Sequence, residues 1–251
     1  MPDATSAALL AAVAVAVGFF IGAVGVGGVL LIPFLVLLGG LHIHAAAATA
    51  LFSFVFTGLL GTLLFQRRGS IRWALAVPVC LSAAVAGYLG SAAAAGIDPR
   101  PLALLIAGII VFAGLNMLRP APRNAVAREG TSPGDRTTLL TVGAVSGFGA
   151  GLSGAGGPLF SVPIMVLLGF APLTAIGVSQ VLQIIAAASG SLSSMQDGRI
   201  NYPIAAWVTL FELAGVAVGA WLAHVVSAAA LRRMAAVLCV VLGAFMVVRA
   251  V

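Results

Sequence analysis

Two stretches decide how this chain is read: GFFIGAVGVGGVLLIP at 18–33 and GFGAGLSGAGGPLFSVP at 147–163. Their glycines match at one offset of 129: Gly18 with Gly147, Gly22 with Gly151, Gly25 with Gly154, Gly27 with Gly156, and Gly28 with Gly157. Gly69 and Gly198 keep the same offset, as do Gly90 with Gly219 and Gly114 with Gly243. LVLLGG (35–40) matches MVLLGF (165–170) one residue further apart, and GSIRW (69–73) matches GRINY (198–202). Ordered matches over so long a stretch mark a duplicated unit. The reading is a first repeat at 1–119, a polar Pro-containing loop at 120–137, and a second repeat at 138–251.

Composition fixes the class. The 251 residues are 62% hydrophobic and 7% charged, with a mean hydropathy of +1.20. Soluble domains carry roughly 25% charged residues, so no water-facing surface can be assembled here. The expectation is an all-α polytopic membrane protein lying in the lipid bilayer of a prokaryotic inner membrane. The formal charge of +6 comes with twelve arginines and no lysine. These arginines sit at the ends of apolar runs, as topology signals do, so no nucleic-acid partner is expected. No Lys or Arg precedes the first apolar run, which reads as a membrane segment and not as a cleaved signal. Cys80 and Cys239 fall inside apolar runs and read as small buried hydrophobes.

Apolar runs cover about 4–24, 28–40, 45–66, 73–92 and 101–118, then 138–153, 157–170, 174–195, 203–224 and 231–250. Residues 4–40 as one helix would measure about 55 Å, far more than a hydrocarbon core of ~30 Å can use. The helix must break, and GxGG is where it breaks. If each break reverses the chain, each half has five membrane or half-spanning segments and the halves are inverted repeats. If each break is only a kink, each half has four and the repeats are parallel. Counting arginines does not decide: both arrangements put nine on one side and three on the other. The short runs flanking each break favour the helical hairpin, hence inverted repeats.

Paired breaks also point to function. Breaking a helix frees backbone N–H and C=O groups that hydrocarbon cannot satisfy, so they are tolerated where they line a cavity or hold a substrate. Interrupted segments at matching positions of two halves mark a transporter's binding site, and a helix restarting there aims its positive end at the break, which suits an anion. The substrate-lining candidates are Gly25, Gly27, Gly28, Ser153, Gly154, Gly156 and Gly157. Gly18 with Gly22, Gly147 with Gly151, and Gly215 with Gly219 have the spacing of close helix packing.

The third run of each half adds polar candidates. Thr49, Ser53, Thr57 and Gly61 recur every four residues as a small, polar stripe, and Ser179, Gln180 and Gln183 hold nearly the same place in the second half. Their alternatives are substrate contact and interhelical hydrogen bonding. Glu212 is the one acidic residue well inside an apolar run and is the candidate for proton coupling, although its repeat counterpart is Ala83. His42 and His44 read as loop histidines, and Asp197 and Arg199 as solvated charges in a short connection. No metal site, catalytic residue or cofactor is expected.

The form G-x-x-G-x-G-G, followed by an apolar run and Pro, resembles the TauE/SafE family of membrane permeases, also called sulfite exporters. The two copies here are GAVGVGG (22–28) before Pro33 and GLSGAGG (151–157) before Pro163, and the resemblance runs through 69–73 and 198–202. It implies transport of small anions, often sulfur-containing ones such as sulfite or an organosulfonate. The combined expectation is a secondary transporter working by alternating access at a site between the repeats, with a proton as candidate coupling ion. The alternatives are an anion channel and, further off, a membrane-embedded enzyme, for which the polar inventory supplies no nucleophile–base pair.

Overall fold

The computed structural model describes residues 4–25, 27–118 and 133–223, with seven single positions beyond. Most of the last apolar run, most of the inter-repeat loop, His224 and Cys239 lie outside the described residues. The described elements are helical: α1 (Ala4–Val24), a 3₁₀ turn (Gly28–Leu30) leading into α2 (Leu31–Leu37), α3 (Ile43–Arg67), α4 (Trp73–Ala95), α5 (Pro99–Leu118), α6 (Pro133–Ser153), α7 (Pro158–Leu167), α8 (Pro172–Gln196) and α9 (Tyr202–Leu222). Short, long, long is thus the order after each glycine-rich helix end. α1, α3, α4, α8 and α9 are long and apolar enough to cross a membrane. α2 and α7, at 7 and 10 residues, reach only part of the way.

The breaks reverse the chain. Gly25 and Gly154 take φ of +73° and +68°, a left-handed conformation open chiefly to glycine, and α1 and α6 end there. A β-carbon at Gly27 would lie 2.7 Å from the Val17 carbonyl oxygen and 2.8 Å from Phe20 Cβ. A helix continuing straight would carry Gly27 about 15 Å past Val17, so the chain has folded back on α1. A β-carbon at Gly149 would likewise meet the Phe160 ring at 2.8 Å, placing α7 back along α6.

Glycine contacts recur at the 129-residue offset. Gly18 rests on the backbone of Glu212 and Gly147 on Ala83; Gly22 rests on Val216 and Gly151 on Gly87; Gly219 rests on Phe19 and Gly90 on Phe148. These contacts run in parallel register, so α1 packs alongside α9, and α6 alongside α4, in the same direction. Here the sequence spacings do serve close packing. At the centre, Leu51 meets Gly190, Gly58 meets Ile184 and Gly61 meets Gln180, so α3 and α8 run antiparallel. These two helices hold matching places in the chain, yet point in opposite directions.

The directions sort the connections to two ends. Trp207 donates to Ala7 O, and His44 pairs with Ile97 O, so the starts of α1, α3, α5 and α9 share one end with Arg199. Arg67, Arg68 and Arg72 lie at the other, where α4, α6 and α8 begin. Trp73 and Tyr202, about half exposed, open α4 and α9 at opposite ends, where aromatic rings sit at bilayer interfaces. Between them Val77, Leu81, Val85 and Leu89 form an exposed apolar stripe on α4, as a lipid-facing surface requires.

Candidate functional site

The two breaks meet inside the molecule. A β-carbon at Gly28 would lie 2.9 Å from the carbonyl oxygen of Ala155, in the opposite break, and 2.7 Å from the Phe54 ring. Gly156, at φ +84°, faces the same ring at 3.4 Å, and Gly157 faces Leu182 and the backbone of Gln183. Phe54 and Gln183 are themselves 129 residues apart, so each break rests on the same place of the opposed α3–α8 pair. Neither the 3₁₀ turn at Gly28 nor α7 at Pro158 has a side-chain cap. Both helix starts thus lie at the junction without side-chain acceptors, and a helix start left so suits negative charge, although Pro158 has no N–H of its own to offer.

Amides and hydroxyls line this junction. Gln183 Nε2 donates to Thr57 Oγ1 at 2.8 Å and to Phe54 O at 3.2 Å, tying α8 to α3. Gln180 Nε2 donates to Ile21 O at 3.1 Å, one turn before the first break, while its Oε1 is buried without a partner. Ser179 and Ser161 hydroxyls pair at 2.7 Å, and Ser161 donates to Gly157 O. Ser153 donates to Gly149 O at 2.6 Å and accepts from Ala155 N at 3.2 Å, so it braces the second break. All of these side chains are buried.

The stripe on α3 does not stay on one side. Thr49 accepts from Asn201 N at 3.0 Å near the Arg199 end, away from the breaks. Ser53 donates to Ala50 O and lies beside Glu212 of α9, Thr57 turns to Gln183 of α8, and Gly61 meets Gln180. A four-residue step advances about 40° beyond a full turn, so the stripe winds from α9 to α8. Glu212 is fully buried, and both its oxygens lack hydrogen-bond partners. The Ser53 hydrogen is committed to Ala50 O, and no charged residue of α1 or of the middle of α3 faces the carboxyl.

A family model described as "Sulfite exporter TauE/SafE" matches residues 10–246. This chain belongs to the sulfite exporter TauE/SafE family. It is also similar to the "Probable membrane transporter protein YdhB" of Bacillus subtilis (strain 168), with 27% identity over 210 residues, covering 81% of this chain and 84% of that protein. No solved structure matches. The family resemblance carried by the two GxGG copies is borne out, as is the multi-pass, all-helical membrane class.

Two sequence expectations for this TauE/SafE protein are corrected. His44 is not a loop residue: it sits in the first turn of α3, half-buried, with Nε2 on Ile97 O at 2.9 Å. Arg199 is not a solvated charge: its side chain is only 15% exposed, and it reaches Ser91 O on α4 as well as Asp197. In both cases the burying partner is remote in sequence. Ser161 was missed altogether, although its place four residues after Gly157 puts it on the helix face that looks back at the break.

Proposed function

We propose that this TauE/SafE-family membrane transporter is a secondary permease of a small anion, sulfur-containing such as sulfite or an organosulfonate. Substrate is held where the two glycine breaks converge, between halves that act as inverted repeats. The carrying observation is the approach of Gly28 to the Ala155 carbonyl between α3 and α8, which brings two uncapped helix starts to one buried locus. Among the described residues no Arg reaches that locus, so charge is balanced by backbone N–H groups, Gln180, Gln183, Ser161 and Ser179. Such neutral donors suit a small anion of low charge.

The burial of these side chains describes an occluded state, which favours alternating access over an open anion channel. Glu212 serves as the coupling group. A buried carboxyl in a membrane interior with the Ser53 hydroxyl beside it and no cation among the described residues is a functional candidate, and its repeat counterpart, Ala83, is inert. Membership of a sulfite exporter family supports a sulfur oxyanion cargo, and the relative named as a membrane transporter supports transport alone. The arginine-rich end containing Arg67, Arg68 and Arg72 faces the cytoplasm.

Purified protein in liposomes tests this reading with sulfite, sulfoacetate, thiosulfate and simple carboxylates, with and without a pH gradient. Saturable, gradient-driven flux of a sulfur oxyanion is expected. Glu212→Gln should abolish the gradient's effect while leaving anion exchange between the two sides. Unsaturable flux would establish the channel instead, and no flux of any anion would remove the cargo class.

A further inference from the structure

A small cavity among the described residues lies at the Arg199 end, bordering the second break. Its walls include His44 of α3, Ser91 of α4, Gly151 of α6, Ser194 of α8 and Arg199. Ser91 and Ser194 are buried, and their hydroxyls pair at 2.9 Å. The guanidinium Nη2 is shared between Ser91 O at 3.4 Å and Asp197 Oδ2 at 2.6 Å, whereas Nε is buried without a partner. Asp197 is 48% exposed and lies on the solvent side of the arginine, where screening weakens the ion pair. The cavity floor reaches the second break, because Gly151 lines it and Ala47, another lining residue, packs on Gly154.

Duplication supplies an internal control. At the 129-residue offset, Ser194 corresponds to Phe65, Ser91 to Ala220, Arg199 to Ser70 and His44 to Leu173. Phe65 is fully buried, so the matching place at the other end is filled by an apolar ring. There Arg68 Nη1 donates to Ala220 O, the counterpart of Ser91 O, at 2.7 Å, so a cation recurs at both ends, whereas the fold does not require the hydroxyl pair. Only the Arg199 end carries the two hydroxyls.

We propose that this cavity is a second anion subsite, which takes a small oxyanion on the outer side of the membrane and passes it to or from the second glycine break. Arg199 supplies the charge and the unpartnered Nε–H donor, and the Ser91 and Ser194 hydroxyls supply two further donors. In the present state the cavity measures about 10 Å³, room for one water. Parting of the Ser91–Ser194 contact admits the anion. The inference rests on the small-anion cargo proposed above, and its test is a binding measurement that stands apart from transport.

Binding of sulfite and of sulfoacetate to the purified full chain is measured by titration calorimetry, alongside the concentration dependence of liposome flux. A lost charged hydrogen bond weakens binding about tenfold or more. Arg199→Gln should therefore raise Kd and KM about tenfold while the maximal flux stays within about threefold. Arg199→Lys should recover part of the loss, and Asp197→Asn should tighten binding by freeing the guanidinium. Ser91→Ala with Ser194→Ala, which leaves the arginine in place, should weaken binding independently and guards against misfolding of the Arg199 variants. Unchanged Kd in the folded Arg199→Gln and double-serine variants overturns the subsite, even if wild-type transport is intact. Absence of sulfite and sulfoacetate binding to wild type overturns it as well, and absence of flux with binding present overturns only the transport reading.

Discussion

Gln183 and the two left-handed glycines show how single residues set the centre of the molecule. Gln183 donates to both Thr57 Oγ1 and Phe54 O, and no water is at hand in a bilayer interior to replace it. Gln183→Leu should abolish transport, at a stability cost of about 1–3 kcal/mol for the unpaired acceptors. Flux and detergent-solution melting, read together, check this; unchanged flux would remove Gln183 from the site. Gly25 and Gly154 both sit at positive φ, where any L side chain costs about 1–2 kcal/mol. They differ in surroundings. An added methyl at Gly25 meets only side chains, Val162 at 3.2 Å and Ile176 at 3.4 Å, whereas at Gly154 it lies 2.6 Å from backbone atoms of Ala47. Gly154→Ala should therefore melt well below Gly25→Ala, by a further ~1–3 kcal/mol of overpacking. Equal melting temperatures would refute the difference in packing.

At the scale of elements, helix pairs approach closely because glycine faces backbone. Gly22 lies on Val216 and Gly151 lies on Gly87, at matching places in the α1–α9 and α4–α6 pairs. Valine at either position should push its pair apart and cost several-fold in folded yield, by similar amounts at the two sites. Gly108, in α5, has nothing within 4 Å of an added β-carbon, so Gly108→Ala should be neutral or stabilising by up to ~1 kcal/mol. Gel filtration of the three variants separates these outcomes. The same contacts explain what could be read without a structure. The breaks were legible because a helix of residues 4–40 is too long for a bilayer, and glycine spacing reports packing directly. The winding of the Thr49, Ser53 and Thr57 stripe was less legible, since a four-residue period looks like one face over short spans and drifts over longer ones. Arg199 was illegible: D-x-R in a polar connection looks solvated, and the groups that bury it, Ser91 and His44, lie more than a hundred residues earlier.

For the whole molecule, the decisive relation is that α3 and α8 hold matching places yet run antiparallel, while each half lends its first helix to the other half's fourth. Each break is thereby gripped by elements of both halves, so moving one half against the other must reshape both breaks together. Opposed repeats around a shared midplane site are the geometry on which rocking transporters depend. Gly69 and Gly198 offer a clean test of the inversion. They stand at matched positions after α3 and α8, both at positive φ in a connection, with open space around them. Inserted reporters there perturb nothing packed. With inverted repeats the two reporters must lie in opposite compartments: Gly69, flanked by Arg67, Arg68 and Arg72, on the cytoplasmic side, and Gly198 outside. Parallel repeats would put both on one side, because an even number of crossings, four, separates them. Phosphatase and fluorescent-protein insertions at both glycines read the compartments directly. Agreement between the two sites would sink the inverted arrangement, and with it the outward-facing placement of the Arg199 cavity.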